Sequence, residues 1–477
     1  MNKNGEGTGA KVVEYGLLGL LVFSPLPAAS VYEWSVLILG LTALALTGAY
    51  ILMREKPRTN EFLDRAVLLP KRLFFFFFLF LLLQIVPLPR FIVSLLSPGS
   101  TAYQQAYALD FEKTKFLSFS LIPSLTLEKA LELVAYFLVG FVLLKTMTTR
   151  RRIIRIYSVL IAVGAFEAFY GLFELYSKNP RILFYRKMHN LDSVTGTFVN
   201  RNHLSGYLEM VIPLAIGLII SRIDLFSLKN LSWREKLLRL AERGLATNLI
   251  LLFAVVLMSV AVVFSKSRSG VFVLVLIFIL FFGLTAIYFE IYTFRKKRVK
   301  NFLRVAFVLV LIISLYVGID SVLQRFSLDK LLHEGRPVYW AATLRTFAGF
   351  PLFGTGLGTF GALAAPIQGA EGPLALEHAH NDYLEYLSEL GVIGSLLLLG
   401  GILFSLGASF NAWRTRKHPE VKGLALGGIV SLAAILVHSA TDFNLHIPAN
   451  MLLFSVILAL TMVTAFFKKS AAPKDRP

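Results

Sequence analysis

The residues best suited to chemistry lie in Leu376–Gly394, LEHAHNDYLEYLSELGVIG. Two histidines, two acids and an amide are packed into a few residues ahead of an apolar run. A polar cluster at the mouth of a membrane helix is expensive to keep unless it has a function. His380 and His378 are imidazoles that can take a proton from an attacking hydroxyl near neutral pH, and Glu377 could share that role. His-Ala-His could also bind a metal with Glu377 or Asp382, and His438, Asp442 or His446 could supply a ligand from another loop. A third ligand at a recognisable spacing is missing, so the expectation is no metal and no cofactor. The alternative to chemistry is a hydrophilic helix cap. Asp382 followed by Glu385 reads as a capping box, which starts a helix at about Tyr383 and leaves both histidines just before it.

Cations stand at three other places. In Gly196–Pro213, GTFVNRNHLSGYLEMVIP, a cluster of Asn200, Arg201, Asn202 and His203 opens an apolar segment. Arg201 is a fixed cation with planar donors suited to phosphate, although a polar cap anchoring a helix end would use similar residues. In Phe264–Phe272, FSKSRSGVF, Arg268 sits at the tip of a turn between two long apolar runs. Ser267 or Ser269 could cap the following helix, whose N-terminus would itself attract an anion. In Glu334–Phe360, Arg336 precedes Pro337 at a helix start and Arg345 lies further along the same helix. Gly354, Gly356 and Gly358 resemble a nucleotide loop only superficially, because no strand–turn–helix context surrounds them. A tight backbone turn accounts for them better. In His438–Asn450, Asp442 and His446 join two apolar runs. They read as support for the site, with Asn381 and Asp382, rather than as chemistry.

The elements that must hold these groups are membrane helices. The chain has 477 residues, 56% of them hydrophobic and only 16% charged, where a soluble chain would carry about 25% charged residues. The expected fold class is all-α, a polytopic membrane protein of about 12 transmembrane helices with a large periplasmic loop carrying short helices. Segments long enough to span lie near 12–28, 33–53, 72–89, 129–147, 153–177, 203–221, 245–264, 270–293, 301–318, 384–409, 421–441 and 446–467. Prolines 25, 27, 87 and 89 interrupt or end the first and third, and the Phe74–Phe78 run reads as lipid-facing bulk. No cleavable signal peptide is evident, because a second apolar run follows the first at once. There is no cysteine, hence no disulfide or thiolate chemistry. The net charge of +19 comes from basic clusters between apolar runs. That is topology information rather than a nucleic-acid surface. With the N-terminus inside, every alternate loop obeys the positive-inside rule. Seven of the eight histidines, all but His418, then fall in or beside outer loops. Chemistry there has no nucleotide-sugar available and needs an already activated donor. Four regions result: 1–195 with spans 1–5, 196–318 with spans 6–9 and the first cations, 319–383 as the large outer loop, and 384–477 with spans 10–12 and a cytoplasmic tail.

GTFVNRNHLSGYLEM, SKSRSG, GRPVYWAATLRTFAGFPLFGTGLGTF, HAHNDYLEYLSELGVIG and the closing DFNLHIPAN, in that order over roughly 196–460, resemble the O-antigen ligase and polymerase superfamily of bacterial inner-membrane proteins. The resemblance implies a GT-C-like membrane fold and metal-independent, inverting glycan transfer from an undecaprenyl diphosphate carrier at the periplasmic face. The acceptor would be a lipid A core sugar for a ligase or a second lipid-linked glycan for a polymerase. It further implies that Arg201, Arg268 and Arg336, with Asn202 and His203 beside them, hold the donor diphosphate. His380, directly before Asn381, would help activate the acceptor, with His378 as the neighbouring alternative. The partners are then lipid-linked glycan, acceptor and membrane lipid, with no nucleic acid. A small-solute or bicarbonate transporter is the rival from another class. Transporters place charged or broken-helix sites near the midplane, whereas these charges gather at an outer mouth. A non-catalytic partner of a polysaccharide machine is a third possibility.

Overall fold

Long apolar runs bounded by basic clusters and prolines can satisfy their backbone in a membrane only as helices. The computed structural model describes residues 8–52, 61–107, 111–177, 180–222, 245–288, 304–305, 307–308, 312, 336–363, 377–416 and 418–467. Its helices are α1 (Thr8–Phe23), α2 (Glu33–Leu52), α3 (Glu61–Ala66), α4 (Leu68–Ile85), α5 (Arg90–Leu96), α6 (Pro98–Tyr107), α7 (Pro123–Thr146), α8 (Arg150–Leu175), α9 (Arg201–Arg222), α10 (Leu245–Phe264), α11 (Arg268–Tyr288), α12 (Arg336–Gly349), α13 (Asp382–Thr415), α14 (Pro419–His438) and α15 (Pro448–Phe466). Two-residue strands form two small antiparallel pairs, β1 (Leu88–Pro89) with β2 (Phe116–Leu117) and β3 (Arg181–Ile182) with β4 (Tyr185–Arg186). The protein is an all-α polytopic membrane protein.

Among the described residues, nine helices are long and apolar enough to cross a membrane. All the expected spans except 301–318, most of which lies outside the described residues, coincide with a helix. Two of them, α1 and α7, are not among the nine. α1 has 16 residues, and α7 carries Glu128, Lys129, Glu132 and Lys145. The prolines act as stops: α1 ends before Pro25 and α4 before Pro87. The Phe74–Phe78 run is only partly lipid-facing, which corrects the reading of it as bulk. Phe75 and Phe76 are exposed, but Phe77 is 1% exposed and Phe74 packs on Gly401 of α13. Five consecutive residues of a helix span more than one turn, so they cannot share a face.

α9 lies at the centre and is buried almost throughout. Its closest neighbour is α14. A Cβ on Gly217 would stand 2.7 Å from the Gly423 carbonyl oxygen and 2.8 Å from the Gly427 Cα, and one on Gly427 would stand 2.7 Å from the Pro213 carbonyl oxygen. Gly423 and Gly427 are one helical turn apart, the small-xxx-small spacing that lets membrane helices touch backbone to backbone. One turn further on, the Ser431 hydroxyl donates to the Met210 carbonyl at 2.5 Å. This contact matters for function because α9 begins with the Asn200–His203 cluster and α14 leads into Asp442.

α13 is broken at Gly391, whose backbone (φ 61°, ψ −171°) is not helical. The segment after α12 fills the break. Thr355 and Gly356 donate their N–H groups to the carbonyls of Ser388 and Glu389, and Val392 donates to the Pro351 carbonyl. From α4, the Gln84 amide donates to the carbonyls of Glu389 at 3.0 Å and Phe353 at 2.6 Å. Gly354, Gly356 and Gly358 all have positive φ, as a tight turn requires. Phe353 stacks on Phe119 with ring centroids 3.9 Å apart, which seats the turn in a second apolar cluster with Phe77 and Phe80 of α4.

Replacing Gly427 by Leu forces α9 and α14 apart. Overpacking of this kind costs on the order of 1–3 kcal/mol or more. The expected result is a lower Tm in detergent and a smaller monodisperse peak on size exclusion, with Gly283→Leu, where no atom lies within 4 Å of an added Cβ, as the tolerated control.

Candidate functional site

Five helices among the described residues begin with an arginine, and three of these arginines are the expected ones: Arg201 heads α9, Arg268 heads α11 and Arg336 heads α12. A helix N-terminus carries unpaired N–H groups and partial positive charge, so an arginine at that position adds to a site already suited to anions. The starts of α9 and α11 are held together. Ser205 and Ser265 hydroxyls are 2.8 Å apart, and a Cβ on Gly270 would meet the Ser205 side chain at 2.9 Å. Ser267 caps α11, accepting from the Gly270 N–H at 3.1 Å, so of the two expected capping serines it is the first that does so. Ser269 accepts from the Thr441 hydroxyl at 2.8 Å, which ties this end of α11 to the turn carrying Asp442.

Asp442 is the hub. Its carboxylate has no solvent exposure. The Asn202 amide donates to Oδ2 at 2.5 Å, and the Phe443 N–H donates to Oδ1 at 2.9 Å. His380 Nδ1 is 3.3 Å from Oδ1, His203 Nε2 is 3.8 Å from the same oxygen, and Arg336 Nη2 is 3.6 Å from Oδ2. Burial alone would raise the pKa of this carboxyl. The facing imidazoles of His203 and His380 outweigh that and hold it well below the usual carboxylate range.

A second cluster adjoins the first. His378 Nδ1 is 2.7 Å from Glu385 Oε1, and the Ala379 N–H donates to Glu385 Oε2 at 2.8 Å. His446 lies in the 3-10 turn Asn444–His446 before α15. Its Nδ1 is 2.7 Å from Asp382 Oδ1, and its Nε2 is 3.4 Å from Glu385 Oε1. Burial pulls the His446 pKa down, but the carboxylates of Glu385 and Asp382 outweigh it and raise the pKa to about 9. Phe443 separates the clusters. Its ring stacks on His378 at 4.0 Å and meets His203 and His380 edge-on at 4.6 and 4.9 Å.

The capping box does not form. Asn381, not Asp382, is the N-cap of α13, its side chain accepting from the Leu384 N–H at 3.1 Å. The helix starts one residue earlier than expected, at Asp382. The carboxylates of Asp382 and Glu385 are drawn away from their own helix end by the imidazoles of His446 and His378, which satisfy a buried charge better than a backbone N–H does. His380 stands just before the cap with φ 50°, a left-handed conformation uncommon for histidine. That turn lets His378 and His380 face different carboxylates although only one residue separates them.

The structure thus brings His380, Arg336, Asn202 and His203 onto Asp442, and places His378 and Asp382 in the adjoining cluster. Arg201 and Arg268 head the two helices that flank the hub. Glu377 is exposed and lies outside both networks. Among the described residues, no group of three or more His, Cys, Asp or Glu residues is arranged to hold a metal ion. Sequence reasoning gave Glu385 only a capping role and did not name Phe443 or Glu209. Asp382, Glu385 and Glu389 recur at helical spacing, which marks one acidic face. Glu209 is an acid inside the apolar α9, and it pairs with His438 at 2.8 Å with both side chains fully buried. Phe443 carries no such signal.

Two outcomes follow from this geometry. Asp442→Asn leaves Arg336 and two histidines without their buried counter-charge, a loss of about 3–5 kcal/mol, read as a fall in Tm. The raised pKa of His446 gives stability that is complete below its unfolded value near 6.5 and is lost as pH rises through about 9. The depressed pKa of Asp442 gives stability that is complete above its unfolded value near 3.9 and is lost only as pH falls through its lower folded value. Thermal unfolding across pH should therefore show a decline on the alkaline side that His446→Gln abolishes.

A family model described as O-antigen ligase matches residues 253–399. The match includes Arg268, Arg336, His378, His380 and Asp382, and excludes Arg201–His203 and Asp442. No curated protein matches the chain. The match falls on the segments that carry Arg268, Arg336 and both histidines of the HAHND stretch, and over those residues this polytopic membrane protein is similar to the O-antigen ligase family.

Proposed function

We propose that the protein is an O-antigen ligase-type glycosyltransferase of the bacterial inner membrane, acting at the periplasmic face. It moves a glycan from undecaprenyl diphosphate to a sugar hydroxyl of lipid A core. The observation that carries this reading is the convergence on one buried carboxylate, Asp442, of an imidazole (His380), a helix-heading arginine (Arg336) and the α9 mouth (Asn202, His203), inside a chain that matches the O-antigen ligase model. Acid–base and anion-binding groups lie side by side, as a transfer from a diphosphate requires.

In the step we infer, the acceptor oxygen attacks the anomeric carbon from the face opposite the diphosphate. The carbon–oxygen bond to phosphate breaks and the configuration inverts. The hydroxyl proton passes to Nε2 of His380, whose Nδ1 faces Asp442 at 3.3 Å. A carboxylate at Nδ1 keeps the tautomer with Nε2 free to accept and stabilises the imidazolium that forms. The leaving diphosphate is held by Arg201, Arg268 and Arg336, with the N-termini of their helices adding to the field. His378, oriented in the same way by Glu385, stands as the neighbouring base.

Purified protein is incubated with lipid-linked glycan, with and without lipid A core, and products are separated on a gel. A single shift that requires core is expected. A ladder formed without core identifies a polymerase, and solute uptake into liposomes with no glycan product would overturn the enzymatic reading. His380→Gln should lower turnover by about 10²–10⁴-fold and His378→Gln by less. Arg268→Ala should weaken donor use, read as a higher KM for the lipid-linked glycan.

A further inference from the structure

α8 has 26 residues, so it is about 39 Å long, roughly 9 Å more than a hydrocarbon core. The excess lies at its start. Arg150, Arg151, Arg152 and Arg155 occupy the first turn and a half, and Arg152 and Arg155 pair with Glu14. The remainder, 156–175, covers about 30 Å and places Leu175 near the far boundary of the core.

The chain beyond α8 folds back along the helix. Lys187 pairs with Glu174 at 2.9 Å. The Tyr170 hydroxyl donates to the Arg181 carbonyl at 2.7 Å and accepts from the Leu183 N–H at 2.8 Å. Glu167 accepts from the N–H and hydroxyl of Thr197 at 2.8 and 2.9 Å. Counted along α8 from Leu175, Tyr170 and Glu167 lie about 8 and 12 Å inside the boundary. Through Tyr170 the β3–β4 hairpin is therefore held beside the last turns of the span, close to the level at which the span ends.

What the hairpin presents there is apolar. Phe184 is 90% exposed and Met188 is 68% exposed, with Arg181 and Arg186 exposed on either side of Phe184. Its backbone is largely satisfied from within, by the strand pair, by Tyr170 and by the Lys187 N–H donating to the Pro180 carbonyl at 3.2 Å. Contact with lipid demands this of any non-helical backbone. The adjacent face of α8 carries exposed Phe166, Phe169 and Phe173 at helical spacing, as a lipid-facing stripe does. Tyr185 meets Tyr32 with ring centroids 5.6 Å apart, beside Trp34 at the start of α2, where interfacial aromatics belong.

We propose that the hairpin 181–186, with Met188, is an interfacial anchor. It inserts Phe184 and Met188 at the boundary between headgroups and acyl chains, and it sets Arg181 and Arg186 on phospholipid phosphates. Long basic side chains reach outwards from buried stems, which allows both contacts at once. The acid that follows, Asp192, is tied to Lys266 at 2.9 Å and does not oppose an anionic surface. The anchor is independent of the glycosyl-transfer reading. Because the same loop runs into Asn200–His203, it also sets the height of the α9 mouth against the lipid headgroups.

The chain has no cysteine, so Phe184→Cys and Met188→Cys each accept one nitroxide label. The full-length protein is placed in phosphatidylethanolamine–phosphatidylglycerol nanodiscs, with Glu112→Cys, at a side chain 84% exposed, as the water-facing control. Depth is read from power saturation with oxygen and with a water-soluble nickel chelate. Labels at 184 and 188 should show an oxygen-to-nickel accessibility ratio severalfold above that at 112. Equal ratios at the three positions would overturn the anchor. In the Phe184→Cys background, Arg181→Glu with Arg186→Glu should move the label towards water, and an unchanged depth would overturn the role given to the phosphates.

Discussion

A carboxylate with no solvent exposure inside a membrane bundle has to be met by donors and cations, and Asp442 imposes this on the rest of the site. An isolated buried charge costs several kcal/mol, and in a membrane no water is at hand to relieve it. Its partners come from separate parts of the chain: Asn202 and His203 from α9, Arg336 from α12, His380 from the turn before α13, and its own neighbour Phe443 through the backbone. The backbone repeats the constraint. The Asp382 N–H is shared between the carbonyls of Ser439 and Asp442, which sets the start of α13 on the turn that carries the hub.

The same rule explains how an irregular segment is tolerated next to the site. The break at Gly391 frees carbonyls of Ser388 and Glu389, and non-helical backbone at membrane depth survives only when protein covers it. Thr355, Gly356 and Gln84 supply the donors, and the Phe360 N–H meets the Glu389 carboxylate at 2.9 Å. The short first half of α13 carries Asp382, Glu385 and Glu389. The Phe350–Phe360 segment is therefore a brace for the acidic face that orients His378 and His446. Its glycines belong to that brace and not to a nucleotide loop.

Much of this architecture was legible in order of residues. Apolar runs marked the helices, and prolines marked several of their ends. Arg201, Arg268 and Arg336 stood out because each precedes or opens a helix. His380 stood out because it precedes Asn381 at the edge of a span. The capping box misled for a physical reason: Asp382 and Glu385 have the right spacing for a local cap, but His446 and His378 offered their carboxylates stronger partners. Phe443 was invisible, since an aromatic residue between Asp442 and Asn444 differs in no local way from any lipid-facing phenylalanine.

The sequence by itself determined the class of the protein and its inventory of chemistry, because hydropathy, basic clusters and residue type act locally along the chain. Only the tertiary structure decided how that inventory is wired. Asp442, expected to support from a neighbouring loop, is the hub, since it alone among these acids faces two histidines, an arginine and an amide at once. Asp382 and Glu385, expected to serve their own helix end, orient imidazoles instead. Electrostatic partners are chosen by distance in space, and residues more than 200 positions apart, such as Asn202 and Asp442, have no local pattern that announces their contact.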